Sequence, residues 1–401
     1  MMDRNAVLRQ VPGWDLDRIR AARILVVGAG ALGNEVLKNL ALLNVGEIAI
    51  LDFDRVEASN LSRSVLFREV DARNREPKAE VAARRLHEIN PEVSALAMKG
   101  DVMTDLGLGF LRTVDVAIGC VDNRLARLYL NRWCFRVGLP WVDGGILNLS
   151  GQVSAYRSGE ACYECGLGEQ AWRDIRQRMG CADMAMRYAV AGQMPTTPLS
   201  ASLIAAVQVQ EALRLLHGDG QSGLVGKLFS YEGQTLHAEV YDLLPPRAEC
   251  DSHYYYGEGE ELPGGSAEMR LGDLWAGLRM DFGLVEPVLE LDHPLARELA
   301  TLKTGRRIAR VLPALKLSAA VGEALAGEPV GVPRGKLVSR VWPGMGLDDL
   351  RLIDLGIPHW HILTIRDKKR RLHLELAGDR GRFFGASGVQ IAPHPWFEYR
   401  P

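Results

Sequence analysis

One short stretch limits the fold more than any other. The β-branched run of residues 23–27 leads into Gly28-Ala29-Gly30-Ala31-Leu32-Gly33, after which Val36, Leu37, Leu40 and Leu43 recur at helical spacing. Such a strand–turn–helix sets backbone N–H groups and a helix N-terminus against phosphates. Residues 47–54 read as a second buried strand ending in Asp52 and Asp54. Ala82, Leu86 and Ile89 mark a helix over Lys78 to Asn90. Residues 93–98 and 114–120 read as buried strands, followed by a helix over Leu125–Val137 and a strand over 140–145. Strands alternating with helices predict an α/β fold. It is a Rossmann-like, mostly parallel sheet with helices on both faces and a ligand at the carboxyl edge of the strands.

Beyond Gly145 the pattern changes. Residues 146–157 alternate with period two around Ser150-Gly151, which predicts antiparallel pairing there. A polar segment, 160–197, is followed by a helix over Leu199–Leu216 and a hairpin over 223–244. From Tyr256 the chain reads as a linker, so a first domain over 1–257 and a smaller α+β domain over 258–401 are expected. With 401 residues and net charge −2, the chain lacks the Lys and Arg excess of a bulk nucleic-acid binder. The start has no basic segment followed by an apolar core, and no stretch has the roughly 18 uninterrupted apolar residues of a membrane span. A cytoplasmic protein without membrane or nucleic-acid partners is expected.

The glycine motif alone leaves two readings open. Asp52 lies 19 residues beyond Gly33, where a dinucleotide enzyme holds its ribose, so an NAD-dependent oxidoreductase is one. The other takes account of Asn60, Arg63, Lys78, Asp122 and Asn123, which follow in order at the ends of predicted elements. Two fixed cations suit a triphosphate, and Asp122 beyond the fourth strand could hold Mg²⁺. Any one of these has a plainer explanation as a solvated surface charge.

RILVVGAGALG, ILDFDRVEASNLSR, PKAEVAARRLHEINPEV and VDVAIGCVDNRLARLYLN resemble the ThiF/MoeB and ubiquitin-activating adenylation domain, over roughly residues 4–255. The resemblance implies a fold that binds MgATP and adenylates the C-terminal glycine of a ubiquitin-like or sulfur-carrier protein. By motif, Gly28, Gly30 and Gly33 would line the phosphates, and Asp52 and Asp54 would face the ribose. Asn60, Arg63 and Lys78 would contact the phosphates, with Asn123 beside them and Asp122 on Mg²⁺. It also implies a homodimer in which an N-terminal arginine, Arg4 or Arg9 here, crosses to the other site. Ser64 stands where the family usually has glutamine.

The six cysteines divide. Cys162 and Cys165 form CxxC, and Cys250 and His253 form CxxH, together a closed Cys3His set suited to structural zinc; two unrelated pairs, one of them redox-active, is the alternative. Cys120 and Cys134 read as small core residues. Cys181 lies in the polar segment near Arg176 and Arg178, a setting that lowers a thiol pKa. It resembles the loop cysteine that takes the acylated protein from AMP; a zinc ligand in place of His253 and a plain exposed thiol are its other readings.

Residues 259–401 hold no cysteine. His359 and His361 flank Trp360 and are expected to be packing or surface groups, and Asp367–Arg371 a solvated hairpin tip. Position and analogy make this region a partner-recognition module. The expected activity is activation of a ubiquitin-like protein, as adenylate and then thioester on Cys181, for a conjugating enzyme. Sulfur-carrier activation for thiamine or molybdopterin-type synthesis is the alternative within the family. An inactive scaffold is the alternative outside it, beside the oxidoreductase.

Overall fold

The computed structural model describes residues 4–179, 195–218, 223–317, 319–333 and 335–384. It divides into two compact units. The first is built on eight strands: β1 (Arg23–Val27), β2 (Glu47–Leu51), β3 (Ser94–Met98), β4 (Val116–Gly119), β5 (Trp141–Leu147), β6 (Ser150–Tyr156), β7 (Lys227–Glu232) and β8 (His237–Asp242). Their order is β3-β2-β1-β4-β5-β6-β7-β8. The first five run parallel and the last three add antiparallel. Every residue of β1 is buried, as a strand covered on both faces requires.

Ile24, Val26, Ile48, Ile50, Val116 and Ile118 form one core cluster with Val36, Leu37 and Leu40 of the Ala31–Leu42 helix. Ala82 and Leu86 of the Lys78–Ile89 helix and Ile204 and Ala205 of the Pro198–His217 helix join them. Each such aliphatic side chain contributes about 1.5–3 kcal/mol on burial. The alternate residues Leu25, Leu51 and Ala117 are buried but outside that cluster, on the sheet's other face. The Pro198–His217 helix is the one described helix long and apolar enough to cross a membrane, and half of its residues are buried in the fold.

The polypeptide reverses at Asn148-Leu149 rather than at Ser150-Gly151, which lie inside β6: Leu147 pairs with Ser150, and Asn148 takes the left-handed turn at φ +55°. The polar segment after residue 160 contains a helix, Glu169–Met179, that belongs to the second unit.

That unit is a seven-stranded sheet of β9 (Glu260–Glu261), β10 (Val288–Thr301), β11 (Arg307–Pro313), β12 (Val330–Gly331), β13 (Leu337–Val341), β14 (Ile362–Asp367) and β15 (Arg370–Glu375). The Leu271–Phe282 helix supplies Leu271, Leu274, Trp275 and Leu278 to its core. The stretch read as a linker thus contains β9, which pairs parallel with β15. Residues 104–113, between β3 and β4 in sequence, also belong to this second unit. A Cβ on Gly107 or Gly109 would lie 2.1 Å from the His359 carbonyl or 2.4 Å from the Trp360 ring. Gly109 N–H donates to the Trp360 carbonyl at 2.9 Å, and the Phe110 ring meets Trp360 edge-on.

Trp360 is left-handed at φ +54°, so His359 and His361 do not share a strand face. His361 is buried and pairs with Asp292 at 2.8 Å; His359 lies 3.3 Å from Asp379. The basic run turns at Lys368 between β14 and β15, while Asp367 faces inward and accepts N–H groups of Val285 and Glu286.

Candidate active site and metal centre

The carboxyl ends of β1, β2 and β4 lie side by side, and the connections after them carry the residues singled out in the sequence. After β1, Gly28 adopts φ +96°, and a Cβ there would sit 2.5 Å from the Cys120 carbonyl. A Cβ on Gly33 would sit 1.9 Å from the Gly28 carbonyl. Both positions need glycine because backbone meets backbone. Replacing Gly33 with alanine is therefore expected to cost about 3 kcal/mol or more, read as a shifted urea midpoint; an unchanged midpoint would contradict the packing. Gly30 differs: it caps the Ala31–Leu42 helix, and the space where a Cβ would stand is open. A helix N-terminus with open space before it suits a phosphate.

Asp52 braces this turn from β2. One oxygen accepts Ala29 N–H at 2.7 Å and the other accepts Asp54 N–H at 2.7 Å. Burial pushes its carboxyl above the usual range, with Lys78 and the two N–H groups pulling the other way. Lys78 opens the Lys78–Ile89 helix, buried to 8% exposure, and its Nζ reaches Asp54 at 2.8 Å. Asn60 is buried and accepts Glu57 N–H at 2.9 Å; Arg63 follows it and donates to the Ser59 carbonyl at 2.8 Å. Asp122 is exposed beyond β4 beside Asn123, which caps the Arg124–Val137 helix by accepting Ala126 N–H. The fold thus draws Asp52, Asp54, Lys78 and the glycine turn into one connected group. Asn60 and Arg63 share the next turn, and Asp122 and Asn123 stand at the adjoining strand end.

Arg4 is engaged within its own chain: it donates to the Ile89 carbonyl at 2.9 Å and to Asn90, closing the end of the Lys78–Ile89 helix. Arg9 is exposed.

Three further residues escaped the sequence reading. Arg127 binds Asp143 at 2.8 Å and also donates to the carbonyls of Val121 and Gly144. Burial pushes the Asp143 carboxyl up, opposed by that guanidinium, so the pair holds the β4 and β5 ends together. Gln208, fully buried, donates to the Gly119 carbonyl at 2.9 Å and fills the space beside Gly144. Asn34 accepts Leu66 N–H and donates to two carbonyls of the glycine turn. Each partner comes from a different element or is a backbone carbonyl, and nothing in local spacing marks such a residue.

Cys120 and Cys134 bear out the expected split in part. Cys134 is fully buried, whereas Cys120 is half-buried at the end of β4, its thiol pushed up by burial and 3.9 Å from Gln208. Cys181 lies outside the described residues.

The other four sulfur and imidazole groups converge. One donor atom each from Cys162, Cys165, Cys250 and His253 lies within 4.8 Å of all the others. Cys162 Sγ stands 3.7 Å from Cys165 Sγ and 3.5 Å from Cys250 Sγ; Cys165 Sγ stands 3.5 Å from His253 Nε2. Ligands about 2.0–2.3 Å from a tetrahedral zinc are separated by roughly 3.5–3.8 Å, so the donor set and spacing fit that ion. The hydrogen bond between Cys162 and Cys250 holds the Cys250 thiol down and pushes the Cys162 thiol up, so the pair shares a proton that a metal would displace. A buried network supports the ligands. Arg132 clasps Glu164 with two 3.0 Å bonds, Ser252 bonds Glu164, and Asn131 bonds Ser252. The His253 ring stacks on Phe135 at 5.3 Å.

Comparison with known proteins agrees with this geometry. The ThiF family model matches residues 2–252. The molybdopterin-synthase adenylyltransferase of Escherichia coli is 33% identical over 239 residues, 58% of this chain and 88% of that protein. The sulfur carrier protein adenylyltransferase of Thermus thermophilus is 32% identical, over 57% of this chain and 81% of its own length. SUMO-activating enzyme subunit 2 of Dictyostelium discoideum is 38% identical over 151 residues, but this chain spans only 22% of it. A match across well over half of the chain, covering the glycine turn, Lys78 and all four convergent ligands but His253, makes this chain a member of the ThiF family.

Proposed function

We propose that the first unit binds MgATP and adenylates the C-terminal carboxylate of a small carrier protein, ubiquitin-like or sulfur-carrier. The observation that carries this reading is the open Gly30 helix cap on the same edge as the buried Lys78. The adenylyltransferase names of relatives matched along most of their own length support it. The carrier carboxylate attacks the α-phosphorus, a bond to AMP forms, and pyrophosphate leaves. Lys78 and Arg63 offset the charge that develops on the phosphates, and Gly30 and its neighbours offer N–H groups to them. Asp122 would hold Mg²⁺, which would neutralise phosphate charge when bound. The Cys3His set would hold zinc as a closed structural site, with no open position for chemistry.

For the next step we propose that the Cys181 thiolate attacks the acyl carbonyl, releasing AMP and leaving a thioester for a conjugating enzyme. The SUMO-activating relative is the support for the thioester step, and the molybdopterin-synthase and sulfur carrier adenylyltransferases are the support for the sulfur-carrier alternative. Carrier-dependent ATP–pyrophosphate exchange is the test of activation: it is expected with a carrier ending in glycine, and its absence with the cognate carrier, or hydride transfer from NADH, would overturn the reading. A thiol-sensitive carrier adduct should disappear in Cys181→Ala while AMP formation continues. Survival of the adduct would point to another thiol, and accumulation of free adenylate that takes up sulfide would favour the sulfur-carrier alternative.

A further inference from the structure

Asn34 occupies the first turn of the Ala31–Leu42 helix and is fully buried. Asparagine is a poor helix former, and a buried amide is costly unless its groups are satisfied. Its neighbours Val36, Leu37 and Leu40 belong to the apolar core, so an aliphatic side chain would be the simpler choice there. The amide is instead used at both ends. Nδ2 donates to the Ala29 carbonyl at 2.7 Å and to the Gly30 carbonyl at 3.0 Å, and Oδ1 accepts Leu66 N–H at 2.8 Å. Asp52 holds the N–H of the same Ala29, so that residue is fixed at both of its peptide groups. Leu66 lies three residues beyond Arg63, in the turn that follows, and Arg63's own N–H donates to the Asn60 carbonyl. One buried side chain thus joins the glycine turn after β1 to the Arg63 turn after β2.

We propose that Asn34 is a positioning residue that fixes the Arg63 turn against the glycine turn, so that the guanidinium and the Gly30 N–H groups meet one triphosphate in a single geometry. This rests on the nucleotide reading above. Arg63 also donates to the Ser59 carbonyl, and the Leu66 bond ties the chain just beyond it to the helix that caps the phosphates, in a core cluster that Leu66 and Phe67 share with that helix. Without the amide, the Arg63 turn gains freedom and the cation is lost to the ligand.

The test is a double-mutant cycle on MgATP binding by the full chain, measured by calorimetry, with Asn34→Ala, Arg63→Ala and the pair. Each single change is expected to weaken binding about tenfold or more, and the pair to be no weaker than Arg63→Ala alone, because groups acting as one unit are not additive. Losses that multiply would assign Asn34 a general structural role and overturn the proposal. Should Asn34→Ala melt too low to assay, Asn34→Asp keeps the shape and the acceptor for Leu66 but removes both donors. Its affinity for MgATP should rise relative to wild type as pH falls and the new carboxyl gains a proton to donate. A profile parallel to wild type's would overturn the proposal. Amide exchange at Leu66, faster in Asn34→Ala without nucleotide, reads the tie separately. A protected Leu66 in a wild-type protein that binds no MgATP would sink the nucleotide reading and this role while leaving the tie intact. Unchanged exchange at Leu66 would sink the tie alone.

Discussion

Cys162→Ser is expected to remove a bound zinc and to lower the melting temperature by about 10–20 °C, the shift that a loss near 5 kcal/mol produces in a unit of this size. The reason is where the four ligands come from. Cys162 and Cys165 follow β6 directly, whereas Cys250 and His253 follow the β7–β8 hairpin, 88 positions apart for the Cys162–Cys250 pair. A shared ion closes that loop. Glu164 sits between the two halves with Arg132 and Ser252 on it, so the supporting network is arranged around a preformed centre. Elemental analysis should find one zinc per chain in wild type and none in the variant. A wild-type protein free of metal, or a variant with an unchanged melting temperature, would show that the Cys and His groups are held by that network alone.

The second large effect is catalytic. Lys78→Met keeps the aliphatic stem that is packed at the start of its helix and removes only the charge. The ion pair with Asp54 is half open to water on the acid's side, so stability should change by no more than about 1 kcal/mol. Adenylation should nonetheless fall by about 10²–10³-fold, the usual consequence of deleting one preorganised group from developing negative charge. Carrier-dependent pyrophosphate exchange and a melting curve on the same sample separate the two effects. A full loss of exchange with a collapsed melting curve would mean that Lys78 is a packing residue, and full exchange would place the phosphates elsewhere.

The parallel half of the first sheet was legible because its strands are short apolar runs alternating with the helices Ala31–Leu42, Lys78–Ile89 and Arg124–Val137. Val26 pairing with both Ile50 and Ile118 is what such runs imply. The CxxC and CxxH pairs were legible for a chemical reason, since few uses other than a metal bring those spacings together. Legibility failed where the deciding partner is far away. The sequence around Leu295–Ala300 has helix-forming residues, yet it is the longest described strand, β10, because four neighbouring strands pair with it. Its register shifts between Glu290 and Leu295, a stretch that includes Pro294. In the site, Arg127 and Gln208 could not be ranked from spacing, since their partners are carbonyls and a carboxylate on other strands. The left-handed Trp360 was equally hidden: its backbone is held by the close approach of Gly107 and Gly109, about 250 residues earlier.

That last separation bears on synthesis. Phe110 leaves the ribosome long before Trp360 and Phe383, the aromatic rings it packs against, have been made. At about 5–20 residues per second the wait for Trp360 is roughly 10–50 s. For that time the nascent chain carries Phe110, in the short Leu108–Leu111 helix, without the rings it packs against, even though the strands on either side of it, β3 and β4, can already pair with their neighbours. The first unit is thus complete in sequence by Tyr255, whereas residues 104–113 must wait for the rest of the second unit, which cannot close until its last strands have been made.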